Sequence, residues 1–173
     1  PMVARNEQQL TALTVGILRY SRDLAFAAAS AYADAAEARG SWDSRMEASV
    51  VDAVVRGDTG SELLSRAAAL NWDTTAPTTV VVGTPSPGRE DLAGEDVREI
   101  AARHERAALA DIHGTWLIVI VSGPISPTDR FLGDLLEAFS PGPVVIGPTA
   151  PMLTAAYLSA SEAISGLNAV AGW

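Results

Sequence analysis

The stretch GTWLIVIVSG, residues 114–123, constrains the fold more than any other part of the chain. Trp116, Leu117, Ile118, Val119, Ile120 and Val121 form an apolar run without alternation, which reads as a strand buried on both faces or nearly so. A strand over residues 107–112 would close a hairpin with it around His113 and Gly114. Two roles compete for that bend. His113 is one of two histidines in the chain and so a candidate for chemistry, whereas Gly114 supplies the backbone freedom of a tight turn. The turn is the expected role, with His113 decorating it.

The rest of the second half fits around this strand. Residues 78–82, TTVVV, are β-branched and follow Pro77, which reads as a first strand. Residues 90–109 read as a crossover helix with Val97, Ile100, Ala101, His104 and Ala108 on one side. On its other side Glu95 with Arg98 and Glu99 with Arg103 stand at helical pairing distances. A further helix carries Phe131, Leu132, Leu135, Leu136 and Phe139. PVVIG (143–147) is a short strand, and Thr149 with Pro151 opens a final helix bearing Leu153, Tyr157, Ala160, Ile164 and Leu167. Right-handed crossovers and hairpin adjacency then point to a ferredoxin-like, palm-like antiparallel sheet with helices on one face.

The first half is helical by pattern. Leu10, Leu13, Ile17, Tyr20, Leu24, Ala27 and Ala31 follow alternating steps of three and four over residues 6–38, an apolar seam that wants a partner helix. A second copy of the chain and a helix of the same chain both fit that need. Gly40 is expected to stop this helix, with Ser41 or Asp43 capping the next, which carries Met46, Val50, Val51, Val54 and Val55 and ends at Gly57. A third helix, capped by Thr59 or Ser61, carries Leu63, Leu64, Ala67 and Leu70, and Asn71 takes the left-handed position after it. The expectation is an α+β chain with a helical module over 1–71 and an α/β sandwich with an antiparallel sheet over 76–173.

Composition narrows the function classes. The net charge of −9 disfavours nucleic acid, and no cysteine is present to form a disulfide or a thiolate metal site. No apolar run approaches the roughly 20 residues that span a bilayer, and nothing resembles a signal peptide. A soluble cytoplasmic protein is expected, without membrane contact.

Chemistry is harder to place. There is no G-x-S-x-G motif, and His104 and His113 lie apart without a ligand pattern around them. VVVGTPSPGRE puts a glycine-containing loop between strand and helix, but it lacks the phosphate-binding lysine, and Glu90 and Asp91 would repel an anion. Two-metal phosphoryl transfer on a palm needs acids on the first strand and the hairpin. The first strand has Val80, Val81, Val82 and Gly83, and the hairpin has only Asp111. No catalytic, cofactor-binding or metal-binding residue is therefore assigned. Trp116 and Phe131 could line a pocket between the sheet and residues 131–139, although core roles suit them better.

The stretch VVDAVVRGDTGSELLSRAAALNWDTTAPTTVVVG resembles the middle region of bacterial transcription regulators of the PucR/CdaR type. There a helix with an LLRG-type end precedes RAAALGWD and a strand. Here the letters are Val54, Val55, Arg56 and Gly57, then Arg66, Ala67, Ala68, Ala69, Leu70, Asn71, Trp72 and Asp73, with Asn71 in place of the usual glycine. The resemblance covers roughly residues 45–170, and the arginine and alanine bias is similar to actinobacterial members. It implies a GGDEF-like domain, related in fold to diguanylate cyclases but without their signature, since DIHGT stands where a cyclase carries its glycine and acid motif. It further implies a non-enzymatic, homodimeric or effector-sensing fragment that needs no cofactor. DNA would be reached only through a C-terminal helix-turn-helix domain absent from this chain, and the effector, whether tied to purine, sugar-acid, lipid or secondary metabolism, stays open. Leu10, Leu13, Ile17 and Leu24 are the candidate dimerisation residues. The alternative is a divergent nucleotidyl cyclase using a nucleoside triphosphate and magnesium.

Overall fold

The computed structural model describes residues 2–171, with the side chains of 5–170; Gly172 and Trp173, at the end of the expected second module, lie outside the described residues. Two compact units divide the chain, residues 1–42 and 43–173. Residues 43–71, expected to belong with the N-terminal helix, instead pack in one cluster with the sheet.

The first unit is helix throughout its described residues. It is supplied by α1 (Met2–Arg56), which continues unbroken through Gly40, against expectation. A glycine inside a helix costs about 1 kcal/mol relative to alanine, which weakens the helix without stopping it. What ends α1 is the residue after it. Gly57 sits at φ +80, its N–H donates to the Val54 carbonyl at 3.1 Å, and Asp58 N–H donates to the Ala53 carbonyl at 2.9 Å. Those two bonds are the Schellman closure that a left-handed residue makes possible.

The second unit starts with the last turns of α1 and continues into α2 (Ser61–Ala69). Gly60 is the N-cap of α2, and no side chain caps it, so neither Thr59 nor Ser61 fills the expected role. Asn71 closes α2 as expected: φ is +60, with Asn71 N–H on the Ala68 carbonyl and Trp72 N–H on the Ala67 carbonyl, both at 3.0 Å. The sheet follows as β1 (Thr78–Pro85), β2 (Ala108–His113), β3 (Trp116–Ser122) and β4 (Phe139–Ile146), with α3 (Ala93–Arg103), α4 (Arg130–Leu135) and α5 (Ala156–Ala171) between and after the strands.

The strand order is β2-β3-β1-β4, and every neighbouring pair is antiparallel. This is the ferredoxin-like α+β arrangement expected, with Thr78 opposite Ser122 in the centre and His113 opposite Trp116 at the hairpin. Several boundaries differ from the sequence reading. α3 stops at Arg103, because Glu105 adopts φ +55 and repeats the same closure, so Ala108 belongs to β2 and not to a helix. Phe139 opens β4 instead of ending α4. A turn at Leu153–Ala155 precedes α5, while Thr149 bonds the Thr79 hydroxyl at 2.9 Å.

The helices cover both faces of the sheet, not one. Val80, Val82, Leu109, Ile118 and Ile120 pack with Val50, Val51 and Val54 of α1, Leu63 and Ala67 of α2, and Ala160, Ala163 and Leu167 of α5. Val81, Ala110, Leu117, Val119 and Val121 pack on the opposite side with Val97 and Ile100 of α3 and Phe131 and Leu135 of α4. The uninterrupted apolar character of β3 already required this, since successive side chains point to opposite faces and all five of its central residues are fully buried. Edge strands are blunted as well. Pro141 and Pro143 remove N–H donors from β4, and the Glu47 carboxylate accepts the Ala110 N–H of β2.

Candidate functional site

The first candidate surface lies on the N-terminal helix. Leu10, Leu13, Ile17 and Leu24 are 64%, 67%, 58% and 57% exposed, and Tyr20 stands between them at 70%. Because the helix turns 3.6 residues at a time, these positions share one stripe. Gly16 leaves a shallow dent beside it, bordered by Gln9, Ala12, Leu13, Ile17 and Tyr20. The stripe carries no catalytic group.

The second candidate lies in the sheet-bearing unit. A cavity of about 320 Å³ opens beside the hairpin end of β2, lined by Glu47 of α1, Glu90, Asp91, Glu95 and Arg98 around the start of α3, and Asp111 of β2. Arg98 Nη1 donates to Glu47 Oε1 at 2.6 Å, so Arg98 does not make the helical pair with Glu95 that its spacing suggested. Burial pushes the Glu47 carboxyl above its ordinary value, against the opposing pull of Arg98 and the Ala110 N–H. Burial raises the Asp111 carboxyl too, opposed by the Ile112 N–H and by His113. The acids come from α1, the start of α3 and β2. None comes from β1, where Val80, Val81, Val82 and Gly83 stand, and among the described residues no group of three or more potential ligands is placed to hold a metal ion.

Gly114 takes the turn role expected of it. Gly114 and Thr115 form a two-residue loop with Gly114 at φ +67, while Thr115 stays out of the left-handed region. Glycine at the first of two loop positions with positive φ is the requirement of a type II′ turn. His113 ends β2 and is exposed. His104 has a structural role. Its Nε2 meets Asp134 Oδ2 at 2.7 Å, its ring meets Phe131 edge-on at 5.5 Å, and the bond holds the Asp134 carboxyl below its ordinary value.

Trp116 and Phe131 do not share a pocket. Phe131 is fully buried in the cluster beneath α3 and α4, with the Arg106 guanidinium 4.9 Å from its ring centre, whereas Trp116 packs on the opposite cluster. The RAAALNWD motif is likewise structural. Arg66 pairs with Glu62 and donates to the Ser49 hydroxyl at 3.3 Å, and Trp72 is buried in the core. Asp73 accepts the Thr75 N–H at 3.0 Å and its hydroxyl at 2.7 Å, which shapes the turn into β1. Sequence reasoning missed Glu47 and Arg98, which lie 51 positions apart; an acid on an otherwise apolar helix face was the available signal. Among the described residues no helix is long and apolar enough to cross a membrane.

Comparison with known proteins agrees with this architecture. Residues 56–169 match the family model described as GGDEF-like domain. Curated relatives in Mycobacterium bovis and in two strains of Mycobacterium tuberculosis, all uncharacterized proteins, are 75% identical over 181 aligned residues. The alignment takes in 100% of this chain but 44% of each relative, so the chain spans less than half their length. The crystal structure of a regulator of polyketide synthase expression from Bifidobacterium adolescentis superposes with a TM-score of 0.66 at 16% identity, covering 75% of this chain and 55% of that one. That likeness shows the fold alone, and the family match covers well over half of the chain. The chain belongs to the GGDEF-like domain family.

Proposed function

We propose that this chain is the central regulatory part of a transcription regulator of the PucR/CdaR type, in which a GGDEF-like domain senses or transmits a signal and performs no nucleotide chemistry. The observation that carries the reading is the residue content of β1. Metal-assisted phosphoryl transfer needs carboxylates that converge on two cations, and the strand that would present one offers valine and glycine at residues 80–83. The Bifidobacterium adolescentis protein, a regulator of polyketide synthase expression with the same architecture, supports a regulatory role.

In this proposal the apolar stripe at Leu10, Leu13, Ile17 and Leu24 joins two copies of the chain, and DNA is contacted by a domain outside these residues. Dimer symmetry then sets the spacing of two DNA half-sites, in the cytoplasm where the DNA is. A sensor moves a distant reader only where a shared element has two arrangements of different energy and the signal, here a small-molecule effector, favours one. α1 is the element we assign to that task.

The competing reading is a divergent nucleotidyl cyclase, favoured by the carboxylates of Glu90, Asp91, Glu95 and Asp111 around the cavity. Incubation of the purified chain with GTP or ATP and magnesium or manganese separates the two. The regulatory reading expects no cyclic product above a protein-free control. Product that grows with enzyme concentration would replace it with the cyclase.

A further inference from the structure

The end of α1 and the whole of α3 lie on opposite faces of the sheet, the first packed with Val80, Val82, Ile118 and Ile120 and the second with Val81, Val119 and Val121. β2 is an edge strand, and the two helices reach each other around its outer side. Among the described residues one ion pair joins them. Glu47 of α1 receives Arg98 Nη1 of α3 at 2.6 Å, and the same carboxylate accepts the Ala110 N–H of β2.

The hairpin register explains why that N–H is available. His113 and Trp116 flank the two-residue loop and Ala107 bonds Ser122, so residues 113, 111, 109 and 107 face β3 and Ala110 turns its N–H to the outer side. A covered edge group needs a partner. Glu47 supplies it from an unusual place: every described residue of α1 before it is exposed or half-buried, so the first buried residue of the helix is an acid. Its side chain is 6% exposed. A carboxylate withdrawn from water to that extent depends on its partners.

Arg98 has a second acceptor within reach. Glu95 stands one turn before it on α3, at a spacing that brings opposite charges together on a helix, and both line the same cavity. Glu95 is exposed and, among the described residues, makes no ion pair. The Arg98 side chain is 37% exposed and so free to swing, whereas Glu47 is held.

We infer that Arg98 is a two-position latch on the base of α1. Turned to Glu47, it holds residues 43–49 against the edge of β2. Turned to Glu95, it leaves a buried carboxylate without its countercharge, and the turns before Val50 loosen until that carboxylate returns to water. Val50, Val51 and Val54 stay in the core, so the movement ends there. The latch gives α1 two arrangements of different energy, and its meaning for signalling rests on the regulatory reading above.

Backbone hydrogen exchange in the 173-residue chain reads the latch, because the Ala110 N–H has no strand partner and is bonded to the Glu47 carboxylate. Glu95→Gln, on an exposed site, removes the second position of Arg98. It should slow exchange at Ala110 and at residues 43–49 by about twofold, the pairing energy of such helical neighbours expressed as a rate. Leu109, bonded to β3, and the buried residues of α5 should keep the parent's rates. In an Arg98→Gln background the same Glu95→Gln change should have no effect on Ala110, because the group that alternates is gone. Equal rates for the parent and Glu95→Gln would overturn the latch. So would an equal slowing with and without Arg98, which would mean that Glu95 acts on Glu47 by its charge alone. These rates need neither a second copy nor a nucleotide, so a failed latch leaves the regulatory reading standing, while cyclic product in the nucleotide assay would remove that reading without altering them.

Discussion

Replacing Leu13 and Ile17 together with aspartate should separate the copies while leaving the sheet-bearing unit folded. Leu13 is 67% exposed and Ile17 58%, so most of each side chain is available for burial in a dimer. Full burial of such a side chain is worth about 1.5–3 kcal/mol, and scaling by the exposed share leaves roughly 1–2 kcal/mol apiece. A symmetric dimer contains each residue twice, which brings the loss to about 4–8 kcal/mol before any cost of desolvating four new carboxylates. At ~1.4 kcal/mol per tenfold change, Kd should rise by about three to six orders of magnitude. Sedimentation equilibrium over a wide concentration range measures this directly. Thermal unfolding serves as the control and should be nearly unchanged, because neither residue belongs to the buried clusters of residues 43–171. A Kd within tenfold of the parent would refute the reasoning, since no seam buried in a dimer tolerates that substitution.

Three other substitutions probe the fold around the candidate site. Gly114→Val should destabilise the chain by about 1–3 kcal/mol, because a β-branched residue resists the positive φ that the turn imposes, while His113→Ala should stay within about 0.5 kcal/mol. Equal melting temperatures for parent and Gly114→Val would remove the turn account. Phe131→Ala removes a fully buried ring that touches His104 and Arg106 and should cost about 3–5 kcal/mol in urea unfolding; an unchanged midpoint would contradict the packing described. Glu47→Gln tests the buried carboxylate through pH. Its folded value lies above the ordinary 4.5, so the parent's stability from this group is present below that pH and lost as pH rises through the folded value. The parent should therefore lose stability relative to Glu47→Gln as pH rises above 4.5, and a relative gain over that range would mean that Arg98 outweighs burial.

Much of this was legible in the letters, and the misses share a cause. The run from Trp116 to Val121 implied a doubly covered strand, yet an expectation of helices on one face ignored that implication; residues 43–70 together with α5 supply the second cover. Asn71 was readable as a left-handed helix end because asparagine tolerates that geometry, whereas Glu105 performs the same closure with a residue type that gives no hint of it. Gly40 misled in the opposite direction. Glycine permits an end without forcing one, and along α1 it is Gly57, not Gly40, that adopts positive φ. The stripe at Leu10, Leu13, Ile17 and Leu24 was visible as periodicity because a helix face is a local property. The Glu47–Arg98 pair was not, since it is made by elements 51 positions apart whose meeting depends on the finished packing.

The central claim is that the GGDEF-like architecture persists here without the carboxylates that grip catalytic cations. Binding of manganese in the presence of a non-hydrolysable nucleoside triphosphate, followed by the loss of the free ion's electron paramagnetic resonance signal, tests it most directly. The account predicts the same free-ion signal as nucleotide alone at every protein concentration. Uptake of two manganese ions per chain would contradict it.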